Sequence, residues 1–171
     1  MSAPVRILGI GSPFGDDRTG WLAVDCIRAS TWYRAQAPGT ISAERFDRPG
    51  PALLSIMDGA SHAVLIDTMQ SGAPPGTLRH VELDELALSD SNFASGHSFG
   101  LADTLLLGRA LALLPPRLTL LAVEAGRAGS DDGLSCEVRA ALPALVQCVE
   151  ACVTRETQRI EGRDGGYRVG L

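Results

Sequence analysis

Clusters of basic residues and long apolar runs are both absent from this sequence. Acidic residues outnumber Lys and Arg by 20 to 15, and the net charge of −5 disfavours a nucleic-acid-binding surface. No segment reaches the roughly 18–20 uninterrupted apolar residues of a membrane span. The apolar run in the N-terminal MSAPVRILGIG is too short for a signal peptide. We therefore expect a cytoplasmic protein with no nucleic-acid or membrane partner.

Cysteine is scarce as well. The four cysteines form no Cys-x-x-Cys pair and have no histidine nearby at zinc-finger spacing; they are Cys26, Cys136, Cys148 and Cys152. Cys148 and Cys152 are four residues apart and fit one helical face. Free thiols, packed as small hydrophobic side chains in a reducing compartment, explain this pattern better than a metal or redox site does.

Apolar runs alternate with amphipathic segments along the chain, which predicts an α/β fold. The predicted strands are 5–10, 40–46, 63–67, 77–83 and 118–123, and the predicted helices are 21–33, 51–57, 101–114 and 134–156. This alternation is typical of a single-domain three-layer sandwich, a mostly parallel twisted sheet of about five strands with helices on both faces. We expect this domain to cover 1–156, and the polar, glycine-rich 157–171 to be a flexible C-terminal tail.

Polar side chains stand where the predicted strands end and a helix begins. Asp16 and Asp17 lie in the turn after the first strand, and Asp67 ends the third strand. His97 lies in ASGHSFG, just before the helix that starts at Leu101. Because sites in open α/β sheets form outside the carboxyl ends of the strands, we expect these side chains to converge on one rim.

The glycines of the first turn also suggest a nucleotide-binding module. Gly9, Gly11 and Gly15 are spaced GxGxxxG, whereas the dinucleotide fingerprint is GxGxxG. Asp16 and Asp17 would place two negative charges where a phosphate contacts the helix N-terminus. The nucleotide interpretation is therefore the weaker one.

A divalent-cation site accounts for the same residues better. Two carboxylates and an imidazole make three ligands with open positions, and a metal held in this way polarises a carbonyl or activates water. The glycines would then let the turn bend so that its carboxylate points back over the sheet. Capping of the helix start explains Asp16 or Asp17 equally well. Asp67 is harder to explain without a partner, because it directly follows the apolar Val64–Ile66.

Three segments, in this order, resemble the [NiFe]-hydrogenase maturation endopeptidases. They are GIGSPFGDDRTG at 9–20, VLID at 64–67 and SGHSFGLADTL at 95–105. The family has a glycine-rich turn that ends in an acidic pair, an Asp at a strand end, and a later S-x-H-x-x-G-L segment. The resemblance runs from residue 5 to about residue 150.

The resemblance implies that Asp17, Asp67 and His97 are both the nickel ligands and the catalytic residues. Asp16 would be a neighbour that caps or supports the turn. The family's substrate-recognition segment, Asp-Gly-Gly-like, corresponds here to the stretch from Asp47 to Gly50.

Two departures from the family pattern affect these assignments. Ser12 replaces the usual Asn, and the loop before the acidic pair is one residue shorter, which leaves the register between Asp16 and Asp17 open. Arg48 and Pro49 replace small residues, which suggests a divergent recognition loop or a different large-subunit partner.

The activity implied by the resemblance is proteolysis. An endopeptidase of this family removes the C-terminal extension of a [NiFe]-hydrogenase large-subunit precursor after nickel has been loaded. Nickel would be supplied by the precursor rather than permanently bound. The alternative within the family is a nickel-dependent chaperone or binding paralogue that holds a precursor without cutting it. We expect a monomer, since no sustained apolar heptads indicate a coiled coil.

Overall fold

A computed structural model describes residues 4–84, 100–126 and 133–164 of the chain. The strands are β1 (Val5–Gly11), β2 (Ile41–Asp47), β3 (His62–Met69), β4 (Leu78–Val81) and β5 (Arg117–Glu124). The helices are α1 (Thr19–Ala29), α2 (Thr31–Arg34), α3 (Ala52–Met57), α4 (Leu101–Ala110) and α5 (Cys136–Asp164), and a 3₁₀ turn spans Gly15–Arg18.

The five strands form one sheet in the order β2-β1-β3-β5-β4. β2, β1, β3 and β5 run parallel, and β4 pairs antiparallel with β5 at one edge. The predicted α/β fold with a mostly parallel five-stranded sheet is confirmed. Because four strands point the same way, Gly11, Asp47, Met69 and Glu124 end at one rim of the sheet.

Both faces of the sheet are covered by helices, as expected for parallel strands with nearly continuous apolar sequence. On one face α1 and α5 pack on the sheet through Val24, Ile27 and Val149. On the other face α3 and α4 contribute Leu53 and Leu105. The result is a three-layer sandwich with two apolar cores, one on each side of the sheet.

The structure differs from the sequence prediction at several element ends. The helix predicted over 101–114 ends at Ala110, because Ala112 adopts a positive φ of 54° and turns the chain before the double proline. The strand predicted over 77–83 is shorter, Leu78–Val81.

The first predicted helix breaks at Ser30, which adopts an extended conformation and accepts a hydrogen bond from the Tyr33 N–H, so that α2 starts afresh. β3 continues two residues beyond Asp67, to Met69. α5 continues to Asp164, so the boundary drawn at residue 156 falls inside a helix, and 165–171 lie outside the described residues.

All four cysteines are free, but they are not packed in the core as the composition suggested. Cys26, Cys136 and Cys148 are exposed and Cys152 is partly exposed. In the described ranges, no helix is long and apolar enough to cross a membrane.

Candidate active site

The glycine-rich turn brings α1 into backbone contact with the sheet. A Cβ on Gly9 would lie 2.1 Å from the carbonyl oxygen of Gly20, and a Cβ on Gly20 would lie 2.3 Å from that of Ile10. Side chains at these two positions would push the strand and the helix apart. The glycines therefore serve the packing of α1 on β1.

The 3₁₀ turn folds back onto the end of β1. A Cβ on Gly11 would lie 1.9 Å from the backbone oxygen of Asp17, and the Ser12 N–H donates to that same oxygen at 3.2 Å. The space beside Gly11 is thus filled by the chain itself, which argues against a phosphate cradle there. The same contact holds Asp17 at the rim where the parallel strands end.

Asp16 accepts hydrogen bonds from residues that follow β5. One of its oxygens accepts the Gly126 N–H at 2.7 Å and the Ser135 hydroxyl at 2.9 Å, and the other accepts the Ser135 N–H at 2.7 Å. Ser135 precedes α5, and its Oγ also accepts the Val138 N–H at 3.4 Å. Asp16 therefore joins the acidic turn to the start of α5.

Asp17 and Asp67 are linked through Thr68. The Thr68 hydroxyl donates to Asp17 Oδ1 at 3.1 Å, and the Thr68 N–H donates to Asp67 Oδ1 at 2.8 Å. All three residues are partly buried. Two of the three sequence-predicted site residues are thus brought together at the carboxyl edge of the sheet.

Burial raises the pKa of Asp67 to about 8; the Thr68 N–H opposes this rise, and the charge of Asp17 adds to it. A carboxyl group held in this way favours either a proton or a positive charge beside it. Carboxylate oxygens at a common rim are ligands that a divalent metal accepts. The donor chemistry of Asp17 and Asp67 thus fits recognition of a cation.

His97 lies outside the described residues, in the segment that precedes α4. Within the described part of the chain, no three His, Cys, Asp or Glu side chains are grouped so as to hold a metal ion. The predicted set of Asp17, Asp67 and His97 is therefore represented here by its two carboxylates, and the place of His97 stays a prediction.

The predicted recognition segment lies beside the acidic turn. Asp47 at the end of β2 is in register with Gly11 at the end of β1, and the Arg48 N–H donates to the Gly11 carbonyl at 3.2 Å. The Arg48 Nε donates to Asp47 Oδ1 at 2.7 Å. Arg48 and Gly50 both have positive φ angles, of 40° and 52°, so the segment turns sharply at the rim.

Two polar residues of this rim were not predicted from the sequence. Thr68 is the bridge between the carboxylates, and it directly follows Asp67. Glu124, buried at the end of β5, accepts the N–H groups of Ser71 and Gly72 and the Ser71 hydroxyl, at 2.8–3.0 Å. The rule that singled out Asp67, a carboxylate after an apolar strand, applies equally to Glu124 in LTLLAVE.

The fold and the site together define a doubly wound α/β protein with paired carboxylates at the carboxyl edge of its sheet. Residues 49–152, more than half of the chain, match the family model of the hydrogenase maturation proteases. The chain belongs to the hydrogenase maturation protease family. The matched span includes Asp67 and His97 but begins after the glycine-rich turn.

Solved structures show the same fold. The chain is similar to the hydrogenase maturating endopeptidase HybD from E. coli, with 25% identity over 90% of this chain and 93% of that chain, and a TM-score of 0.75. The [NiFe] hydrogenase maturation protease HybD from Thermococcus kodakarensis shares 22% identity over 87% and 98%, with a TM-score of 0.64. A hydrogenase 2 maturation peptidase from a Thaumarchaeota archaeon shares 24% over 88% and 97%, with a TM-score of 0.62. No curated protein matches the chain in sequence.

Proposed function

We propose that this protein is an endopeptidase that removes the C-terminal extension from the large-subunit precursor of a [NiFe] hydrogenase. Membership of the maturation protease family and the shared fold support this activity. The observation that carries the proposal is the pairing of Asp17 and Asp67 through Thr68 at the rim of the sheet. It gives the fold an acidic site that faces one edge.

Nickel in this proposal belongs to the substrate. Asp17, Asp67 and His97 together bind nickel that the precursor already carries, so that cleavage follows metal loading. Two carboxylates and an imidazole leave positions for ligands from the precursor. Nickel held between the two proteins supplies a Lewis acid beside the scissile peptide bond. The Thr68 hydroxyl fixes one oxygen of Asp17, which orients that carboxylate towards the rim.

Asp17, rather than Asp16, is the proposed ligand. Both oxygens of Asp16 already accept hydrogen bonds from Gly126 and Ser135. Among the described residues, Thr68 is the only side chain that donates to Asp17. A metal would have to break the Asp16 contacts, whereas at Asp17 it meets one oxygen, Oδ2, to which no described residue donates a hydrogen bond.

We further propose that the protein acts as a monomer in the cytoplasm. The four free cysteines, three of them exposed, suit a reducing compartment. Size-exclusion chromatography with light scattering would report the mass of one chain if the first part of this proposal holds.

Incubation with purified precursor tests the activity. Nickel-loaded precursor should lose its C-terminal extension, as seen by intact-mass spectrometry, while nickel-free precursor should stay intact. Asp17→Asn, Asp67→Asn and His97→Ala should each abolish the shortening. Asp25→Asn is the matched control, because Asp25 is partly exposed on α1 and, within the described part of the chain, its ion pair is with Arg45 near the surface.

Two outcomes would contradict the proposal. A stable complex with loaded precursor and no shortened product would favour the non-cleaving alternative. Normal cleavage by all three site variants would refute the site assignment while leaving the activity in place.

A further inference from the structure

Arg48 stands in a backbone conformation that side chains seldom adopt. Its φ of 40° lies in the left-handed region, which is unfavourable for a residue with a Cβ relative to glycine. The Arg48 N–H holds this geometry by donating to the Gly11 carbonyl. A glycine would satisfy the same turn without strain, so the presence of arginine points to a use for its side chain.

The Arg48 side chain is oriented but not buried. Its Nε is held by Asp47 Oδ1 at 2.7 Å, and 58% of the side chain is exposed. An exposed ion pair of this kind contributes little to stability. The contact with Asp47 engages Nε and restrains the guanidinium, and it leaves the two terminal nitrogens, which are the pair that grips a carboxylate, outside that contact.

The position of Arg48 matters because its surroundings are acidic. Asp17 lies near enough for its charge to add to that of Asp47 in raising the pKa of Arg48. The chain as a whole carries a net charge of −5. An anionic group that approaches the Asp17 carboxylate would be repelled unless a cation receives it.

We propose that Arg48 is a specificity-determining residue that binds a carboxylate of the substrate beside the paired aspartates. This inference rests on the proposed function, in which the substrate is a hydrogenase precursor. The guanidinium fork forms two parallel hydrogen bonds with a carboxylate, and the contact with Asp47 pre-orients it. Arg48 selects precursors that carry an acidic group at this place.

The carboxylate has two possible sources in a precursor. It is either an acidic side chain near the cleavage point or the free α-carboxylate of the C-terminal extension. Precursors with single Asp→Asn or Glu→Gln changes near the cleavage point test the first source. A precursor whose extension is lengthened by several residues tests the second.

Arg48→Gly gives the sharpest variant, because glycine keeps the positive φ and removes only the side chain. With loaded precursor, KM should rise about tenfold or more and kcat should change little, as expected for loss of a charge-assisted contact. Arg48→Lys, which keeps the charge without the fork, should recover part of the loss. Arg45→Ala, three residues earlier, removes a cation that pairs with Asp25 and lies over Trp21, and it should leave KM unchanged.

Direct binding of loaded precursor, measured by calorimetry, separates this inference from the proposed function. If wild-type protein binds precursor without cutting it, the proposed activity fails, yet weaker binding by Arg48→Gly still supports the role of Arg48. Equal precursor affinity and equal KM for Arg48→Gly and wild type would overturn the inference. So would the finding that no change of a substrate carboxylate reduces the advantage of wild type over Arg48→Gly.

Discussion

The carboxylate of Asp16 binds both the N–H and the hydroxyl of Ser135, a residue 119 positions further along the chain. The same carboxylate holds the N–H of Gly126. One side chain therefore joins the turn after β1, the end of β5 and the start of α5. Asp17, its immediate neighbour, is left to face the rim and Thr68.

Asp16→Asn should lower the free energy of unfolding by about 1–3 kcal/mol, because an amide cannot accept all three hydrogen bonds and carries no charge. Urea denaturation followed by circular dichroism measures this change. Asp25→Asn is the control, since its exposed pair with Arg45 contributes at most about 1 kcal/mol. Equal stabilities of the two variants would show that the Ser135 contacts do not matter to the fold.

Asp17→Asn should have the opposite effects: little change in stability and a loss of cleavage. Its free energy of unfolding should stay within about 0.5 kcal/mol of wild type, since the hydrogen bond that Asp17 accepts from Thr68, its one side-chain contact within the described residues, can still be accepted by the amide oxygen. Cleavage of loaded precursor should disappear. A large loss of stability for Asp17→Asn, with cleavage kept, would reverse the roles assigned to the two acidic residues.

The sheet and most of its helices were predictable because their signals are local. VRILGI and VLI are short apolar runs typical of buried parallel strands. The double proline was a poorer guide, because it set the predicted end of the helix at 114 whereas α4 ends at Ala110. The rule that sites lie beyond the carboxyl ends of strands then placed Asp17 and Asp67 together.

The sequence around Asp16 and Asp17 does not predict which of the two is structural and which belongs to the site. Both side chains lie in the same turn, and distant residues distinguish them: Ser135 and Gly126 contact Asp16, whereas Thr68 contacts Asp17. Thr68 was missed for a related reason, because its role depends on Asp17 across the sheet. Long-range hydrogen bonds leave no periodic pattern in the sequence.

Gly20→Ala should destabilise the protein by more than about 3 kcal/mol, because backbone cannot move aside as a side chain can. The added Cβ would lie 2.3 Å from the Ile10 oxygen and 2.7 Å from the Ile66 oxygen. Gly133→Ala is the matched control, since the nearest atom there, Arg139 Nη2, lies 3.9 Å from the added Cβ. Thermal unfolding of both variants is the measurement, and similar melting temperatures would contradict the close packing of α1 on the sheet.

His62 should make the fold sensitive to mild acid. Burial lowers the pKa of His62; the charge of Glu156 opposes this and that of Arg117 adds to it. Below the ordinary histidine pKa of about 6.5, the unfolded chain binds a proton that the folded chain does not, so stability falls as pH falls. The slope attributable to this group is at most about 1.4 kcal/mol per pH unit.

Denaturation at pH 7.5, 6.5 and 5.5 measures that slope. His62→Gln should flatten it, although the variant is less stable at pH 7.5 because the contact of His62 Nε2 with Thr119 Oγ1 at 2.9 Å is altered. His80→Gln serves as the control, since His80 is exposed on β4. An unchanged slope in His62→Gln would show that another group carries the acid sensitivity.

Asp67 should lower the free energy of unfolding as pH rises, because its role at the rim requires a carboxyl group that is buried. Its pKa of about 8 in the folded state lies far above the value of about 3.9 in an unfolded chain. Between these values the folded state holds a proton that the unfolded state releases, so the free energy of unfolding falls as pH rises towards 8. Asp67→Asn removes the ionisation and should be more stable than wild type at pH 9, by about 1–3 kcal/mol.

The same variant should fail to shorten loaded precursor, because a neutral amide is a poor partner for a metal cation. Stability and activity then move in opposite directions at one residue, which is typical of a side chain kept for function. Urea denaturation at pH 5 and pH 9 gives the first quantity, and the precursor assay gives the second. Asp25→Asn should change neither by a comparable amount. If Asp67→Asn proves less stable than wild type at pH 9, the carboxyl group is held ionised by a partner, and its proposed availability to a cation is wrong.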